Sequence, residues 1–517
     1  MIAPALYESI LLLDDSVIER ESGLRRVVHP GEKSTPVLEP DHGKPWEYCG
    51  PGMSKRVQLY GTTLYDDLVG KYRMWYFARM GPHWRVPAGN YQIPGLYVPR
   101  TDEKPYHCNG VTHDQHGRQF ADNDRGDLTC YAESDDGIHW VKPDLGIFTF
   151  NGSPDNNIIW DLHGASVFID HDEPDPGMRY KAIGFCRRYR NIFLITSPDG
   201  IHWSDNDYVQ PVAHRNNEGT FNVTYDRIDR VYRAYMLARF DDADARRVIS
   251  YSESPSLDGR WKKPVPCFEP SSWDDEIARR KYAAVRAEFH NMSGFRYGHV
   301  HIGLLGVLSV VAESDPTQEN QMPCDGPIDA QLVYSRDGVT WLHADRERSA
   351  VIPRGADGAF DSGMIIGTAK EPIVEGDHVH WYYTGGEHTH GEANMEKRVK
   401  RIGRVSWKKE RFVAVEAAGA GTLLTKELSF PEKASGFRVN VDAQGGRVEA
   451  EICYPDGRTV PGYGRKDAAP CSSDTLDWRP MWSGADTSSL PGTVKVRLHL
   501  SSARVYSIAA TTHDNTQ

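Results

Sequence analysis

Acidic, imidazole and indole side chains recur just ahead of the apolar runs of this sequence. Trp46-Glu47 precedes one run and Trp160-Asp161-Leu162-His163 a second. Glu218-Gly219-Thr220-Phe221-Asn222 opens a third, Glu276 or, further in, Arg286 and Glu288 a fourth, and Phe360-Asp361-Ser362 a fifth. Carboxylates gathered in one cleft suit glycosidic bond cleavage. One carboxylic acid protonates the leaving oxygen, and one carboxylate attacks or activates water. Crowded like charges keep one of the acids protonated. His388-Thr389-His390 and His299-Val300-His301 are i, i+2 pairs that face one side of an extended chain. Such pairs suit hydrogen bonds to sugar hydroxyls, and no supporting ligand set makes them a metal site. Trp46, Trp84 and Trp160 offer faces for stacking on sugar rings.

The elements that position these residues repeat. Ser134-Asp135-Asp136-Gly137-Ile138-His139-Trp140 returns as Ser197-Pro198-Asp199-Gly200-Ile201-His202-Trp203 and as Ser335-Arg336-Asp337-Gly338-Val339-Thr340-Trp341. A looser copy is Ser256-Leu257-Asp258-Gly259-Arg260-Trp261. Asp-Gly supplies the positive φ of a tight turn, so these aspartates read as turn formers. Each turn ends an alternating apolar run, and two further runs precede it. The turns recur at intervals of about 60 to 80 residues. A fifth unit, 363–407, ends in Lys408-Lys409-Glu410-Arg411 instead of Asp-Gly. Five sheet units that cannot bury their own faces imply an all-β chain closed into a five-bladed β-propeller over residues 1–415. A strand near 10–18 is expected to complete the last blade, and 274–281 to form one or two helical turns. From 416 to 517, short alternating strands separated by Gly, Pro and Asp predict a C-terminal β-sandwich. The long polar insertion 82–127 is expected to cover the cavity.

Composition narrows the partners. The 517 residues carry 60 Lys+Arg and 72 Asp+Glu, a net charge of −12. No basic excess exists to neutralise nucleic-acid phosphates or an anionic membrane surface. No run of 18 apolar residues spans a bilayer. Residues 1–15 make a poor signal peptide, which predicts a cytoplasmic location. The eight cysteines include no C-x-x-C pair and read as free buried thiols. A G-x-S-x-G elbow, a P-loop, H-E-x-x-H and G-x-G-x-x-G are all missing. No cofactor and no metal is expected, and a homo-oligomer is compatible with the composition.

The blade pattern, with Lys71-Tyr72-Arg73-Met74-Trp75-Tyr76 and the Asp-Gly-x-x-Trp turns, resembles the furanosidase-like five-bladed propeller glycoside hydrolases. A propeller followed by a sandwich looks most like glycoside hydrolase family 32, of which this chain would be a divergent branch. The resemblance implies a central acidic pocket with one catalytic acid from each of the first three blades. By position, Glu47 takes the nucleophile or base place, Asp161 the stabiliser place and Glu218 the acid place. Trp46, His163, Asn222, Arg286, Glu288, Asp361, His388 and His390 would bind substrate. The implied activity is hydrolysis of a furanoside or short oligosaccharide. The rivals are a transglycosylase or phosphorylase on the same scaffold, a non-catalytic sugar-binding propeller, and a protein-interaction propeller.

Overall fold

The computed structural model describes residues 9–47, 55–78, 112–113, 119–120, 128–150, 152–160, 162–186, 191–204, 221–239, 246–313, 324–429, 434–485 and 492–512. Among them the chain is nearly all β, with one α-helix, Ser272–Tyr282. No helix among the described residues is long and apolar enough to cross a membrane.

Five antiparallel groups of strands follow the five sequence units. The first holds Gln58–Asp66, Lys71–Phe77, Thr129–Ser134 and Ile158–Trp160. The second holds His163–Ile169, Tyr180–Cys186 and Asn191–Ser197. The third holds Phe221–Asp226, Val231–Ala238, Val248–Ser254 and Val265–Phe268. The fourth is built on Arg286–Tyr297, Val300–Val310 and Ile328–Ser335. The fifth holds Met364–Thr368, His378–Gly386, Val399–Lys408 and, from the N-terminal part of the chain, Glu32–Leu38. One parallel pair, Ile328 with Met364, joins the fourth to the fifth.

The first strands of these groups bond to one another in order. Thr62 Oγ1 donates to the Ala165 carbonyl (2.9 Å) and accepts from the Val167 amide (2.8 Å). The Val223 amide donates to Ser166 Oγ (2.9 Å), and Thr224 Oγ1 donates to the Gly294 carbonyl (3.0 Å). Ser293 and Thr368 join their hydroxyls at 2.6 Å. The Lys370 amide returns to the Gly61 carbonyl at 2.9 Å. The links therefore form a cycle: first, second, third, fourth, fifth, first.

Three Asp-Gly turns lock the first, second and fourth groups to the fifth, first and third. Asp136, Asp199 and Asp337 each accept two backbone amides on Oδ1, at 2.7–2.9 Å. The following glycines have φ of +69°, +75° and +74°, which L side chains adopt only with strain. Their carbonyls each accept from an aromatic side chain of the preceding group. Tyr382 OH meets Gly137 (2.7 Å), Trp75 Nε1 meets Gly200 (2.8 Å) and Tyr235 OH meets Gly338 (2.8 Å). The repeat seen in the sequence is thus a docking device as well as a turn.

The N-terminal strand departs from expectation. Residues 32–38, not 10–18, complete the fifth group. Ile10–Leu11, Ile18–Ser22 and Arg25–Val28 instead join a nine-stranded sheet with the C-terminal strands. Burial explains the choice: Ile10, Leu12, Val17 and Ile18 pack into the apolar cluster of Val439, Val448, Val496 and Val505. In that sheet Thr493–Thr512 changes partner along its length, from Arg447–Cys453 to Ala434–Asp442, which wraps the sheet over this core.

The fifth turn also has a reason to differ. Arg411 donates to Asn440 Oδ1 (2.9 Å) and pairs with Asp474 (2.5 Å). Glu410 pairs with Arg438 at 2.8 Å. This turn grips the C-terminal sheet, where an Asp-Gly turn would offer no cation for Asp474. The helix runs longer than expected, because Ser271 and Asp274 form a capping box and Ala283 ends it in the left-handed region at φ +55°.

Candidate functional site

The direction of the strands separates two chemistries. First and third strands of a group run the same way, so their ends lie with the Asp-Gly turns and their starts lie at the opposite end. At the turn end, aspartates and arginines pair with one another and with tyrosines, while Trp203 Nε1, His301 Nδ1 and Trp341 Nε1 have no hydrogen-bond partner among the described residues. Arg73 meets Asp66 (2.7 Å) and the Tyr131 hydroxyl (2.8 Å), and Tyr180 donates to the same Asp66 oxygen (2.8 Å). Arg233 repeats the arrangement with Asp229 (2.5 Å) and Tyr251 (2.6 Å). Asp226, Asp229 and His301 form a cluster of metal-ligating type. Arg296 Nε already sits 2.9 Å from Asp226, and His301 Nε2 at 2.8 Å. Burial works against ionisation of Asp226, but the Asp229 amide, His301 and Arg296 hold it well below the usual carboxylate range. The cation place there is filled by arginine.

The strand-start end is different. His388 and His390 follow the second strand of the fifth group and are buried, 7% and 3% exposed. His388 Nδ1 lies 2.8 Å from the Thr389 carbonyl, and His390 Nδ1 lies 3.1 Å from the Cys324 carbonyl. A carbonyl only accepts, so the proton of each ring sits on Nδ1 and Nε2 carries a lone pair. Neither Nε2 has a partner among the described residues. Burial, with the charges of Lys400, Arg398 and Arg56, pushes His388 down to about 3. Burial, with His290 and Arg247, holds His390 well below its ordinary value. Both rings are therefore neutral acceptors at pH 7. The His290 ring meets His390 edge-on at 4.9 Å.

Around them stand the starts of other strands. Lys400 Nζ donates to Gln58 Oε1 at 2.9 Å. Glu288 is 1% exposed and held on both oxygens, by Arg247 (2.6 Å) and by Arg286 Nε (2.8 Å). Asn222 donates to the Met292 carbonyl (2.9 Å), which ties the third group to the fourth, while its buried Oδ1 has no partner among the described residues. His163 packs against Phe77 at 4.7 Å and Tyr60 at 5.6 Å. Of the expected residues, the strand-start end thus brings together His388, His390, Glu288 and Arg286, with Asn222 and His163 opening neighbouring strands. Asp161, Glu218 and most of the insertion 82–127 lie outside the described residues.

Three expected residues take other places. Glu47 is fully buried, and Lys142 (2.7 Å), Tyr76 OH (2.8 Å) and the Asp41 amide (2.6 Å) occupy its oxygens. Burial pushes its pKa up against the pull of Lys142, the Asp41 amide and Tyr76. Both oxygens are thus engaged by donors of the protein. Trp46 is a core residue, not a stacking platform. It donates to Asn157 Oδ1 (2.9 Å) and packs on Phe150. Asp361 accepts from Lys33 Nζ (2.8 Å) and Tyr383 OH (2.8 Å), pinning the strand Glu32–Leu38 to the fifth group. Arg56, Gln58, Arg247, His290 and Lys400 were missed. Reading the starts of third strands as well as first ones finds Arg247 and Lys400, because both run in the same direction.

No protein-family model matches the sequence, and no curated protein matches it. Solved structures resemble it at low identity. An N-acetylgalactosamine deacetylase from F. plautii, in complex with blood group B trisaccharide, is 13% identical and covers 76% of this chain and 97% of its own, with a TM-score of 0.45. A thermostable family-43 glycoside hydrolase is 10% identical, with coverages of 71% and 95% and a TM-score of 0.42. An alpha-L-arabinofuranosidase from Podospora anserina, in complex with cellotriose, is 10% identical, with coverages of 74% and 98% and a TM-score of 0.39.

Proposed function

We propose that the chain is a glycoside hydrolase built on a five-bladed β-propeller, with its site at the strand-start end. The cycle of bonds through Thr62, Ser166, Thr224, Ser293 and Lys370 supports the radial arrangement. Residues 1–415 form the propeller and residues 416–517 the β-sandwich, to which 10–28 contribute strands. The observation that carries the site is the set of buried acceptors without a protein partner: His388 Nε2, His390 Nε2 and Asn222 Oδ1. A buried polar atom left unmade costs about 1–3 kcal/mol, so three at one end suit a ligand rich in hydroxyl donors. A sugar is such a ligand.

In this reading Asp161 and Glu218 supply the carboxylate pair. Glu218 is the general acid, and Asp161 attacks or activates water. The imidazoles of His388 and His390 accept from hydroxyls and fix the ring. Glu47 drops out of the catalytic set. Substrates are furanosides or short oligosaccharides.

One observation favours a second reading, a non-catalytic sugar-binding propeller. Glu288, the described acid that touches the His390 neighbourhood through Arg247, is clamped by two arginines and gives no free carboxyl. A screen of aryl furanosides, aryl pyranosides and oligosaccharides separates the two. Wild type releases sugar, and Glu218→Gln and Asp161→Asn lose at least about a thousandfold. Sugar binding without release by folded wild type selects the binding module.

A further inference from the structure

The hairpins that join first to second strands lie at the turn end. Those of the first three groups, 66–71, 169–180 and 226–231, form one continuous rim. Asp67 of the first lies 3.4 Å from His171 of the second. Phe168, just ahead of the second hairpin, meets Tyr232, just after the third, edge-on at 5.4 Å. Six large apolar side chains stand exposed on this rim: Tyr65, Leu68, Val69, Met178, Tyr225 and Ile228. Val69 and Ile228, at the first and third tips, are 55% and 56% exposed. The hairpin of the fourth group is covered instead. His299 Nδ1 lies 2.8 Å from the Ser9 carbonyl, and Tyr297 OH accepts from the Glu410 amide at 3.3 Å.

Contiguous apolar side chains left in water mark an interaction surface. The charges on the rim say what covers it. At the first tip, Asp67 is exposed beside Leu68 and Val69, while Asp66 is buried and paired with Arg73. At the third tip, Arg227 and Arg230 are exposed beside Ile228, while Asp229 is held by Arg233 and Arg296. One tip is therefore apolar and acidic, the other apolar and basic. A two-fold axis that sets this face against a second copy lays each acidic tip on a basic tip, and does so twice. The second hairpin, between the two tips, then faces its own copy. The rim is complementary to itself.

We propose that this rim is a dimer interface between two copies of the chain. Hairpin 66–71 of one copy packs on hairpin 226–231 of the other, Leu68 and Val69 against Ile228, and Asp67 against Arg227 and Arg230. The pairing uses the turn end alone, whether or not the opposite end cleaves sugars. It turns the strand-start ends of the two copies away from each other.

The test is sedimentation velocity of the full chain over about 1 to 100 µM. Wild type sediments as a dimer at the upper concentrations. Ile228→Asp puts a charge against apolar side chains in both halves of the interface and weakens the dimer by about a hundredfold or more. Asp67→Lys in one variant, and Arg227→Asp with Arg230→Asp in another, each bring like charges together twice and weaken it by about tenfold or more. An equimolar mixture of these two charge variants restores the dimer, because both contacts again pair opposite charges. Unchanged far-ultraviolet circular dichroism shows that the variants fold, and Val69→Asp replaces Ile228→Asp if the latter does not. A wild-type monomer throughout the range overturns the inference, and its retention by phosphatidylcholine vesicles would give the face to a lipid surface instead. A dimer that the substitutions leave intact also overturns it, as does a charge-variant mixture that stays monomeric.

Discussion

The same strands end in opposite chemistry. At the turn end, Oδ1 of Asp136, Asp199 and Asp337 accepts from the amides two and three residues on, and Oδ2 meets the side chain of His139, His202 or Thr340. Arg73 and Arg233 each bridge an aspartate and a tyrosine hydroxyl there. At the strand-start end, buried imidazole and amide atoms point at no protein group among the described residues. Saturated polar networks rigidify a fold, whereas unsaturated ones are kept where something else completes them. The turn end is where strand groups are tied together, and the strand-start end is where we propose that the molecule acts.

The largest effect expected from this division is catalytic. Glu218→Gln and Asp161→Asn each lower kcat/KM by at least about a thousandfold with little change in unfolding midpoint. Unfolding that follows activity down would mean that these acids serve the fold. Next comes the turn end. Arg73→Met strands the fully buried Asp66 without its cation. It destabilises by roughly 3–5 kcal/mol in urea titration, with kcat per folded molecule unchanged.

His388→Ala inverts that pattern: KM rises about tenfold while stability at pH 7 shifts by under about 1 kcal/mol. It also changes the pH dependence of stability. His388 is depressed from 6.5 to about 3 in the folded chain. The unfolded chain therefore takes up this proton first, and the stability it confers, present above pH 6.5, is lost as pH falls toward about 3. Removing the ring flattens the stability curve between those pH values, as read by chemical denaturation across the range. The smallest effect is at Gly338. Its φ is +74°, and a Cβ there would lie 2.9 Å from Arg233 Nη1. Gly338→Ala costs about 1–2 kcal/mol and leaves sugar affinity intact.

The turn end was legible in the sequence because its chemistry is local. Ser, Asp and Gly within four residues build the same turn each time, and the repeat announces the groups of strands. What escaped depends on distant partners. Glu47 reads as a free acid until Lys142 is seen across it, 95 residues on. The pairing of 10–28 with the C-terminal sheet needs the apolar cluster around Val505, and Pro36 disguises 32–38 as a poor strand. Lys408 to Arg411 looks like an irregular turn because its partners, Asn440 and Asp474, lie in the C-terminal sheet. At the site, the acids, the histidines and Arg286 are named from the sequence, and the other cations are not. Arg56, Arg247 and Lys400 carry no motif, and only the common direction of first and third strands gathers them.

One measurement bears most directly on the division between the two ends. It compares kcat/KM, normalised to folded protein, for wild type, Glu218→Gln and Arg73→Met on the aryl glycoside that wild type hydrolyses fastest. The account predicts a loss of at least about a thousandfold for Glu218→Gln and a value within about twofold of wild type for Arg73→Met. Near-wild-type turnover by Glu218→Gln, with loss confined to folded Arg73→Met, would place the chemistry at the turn end and contradict it.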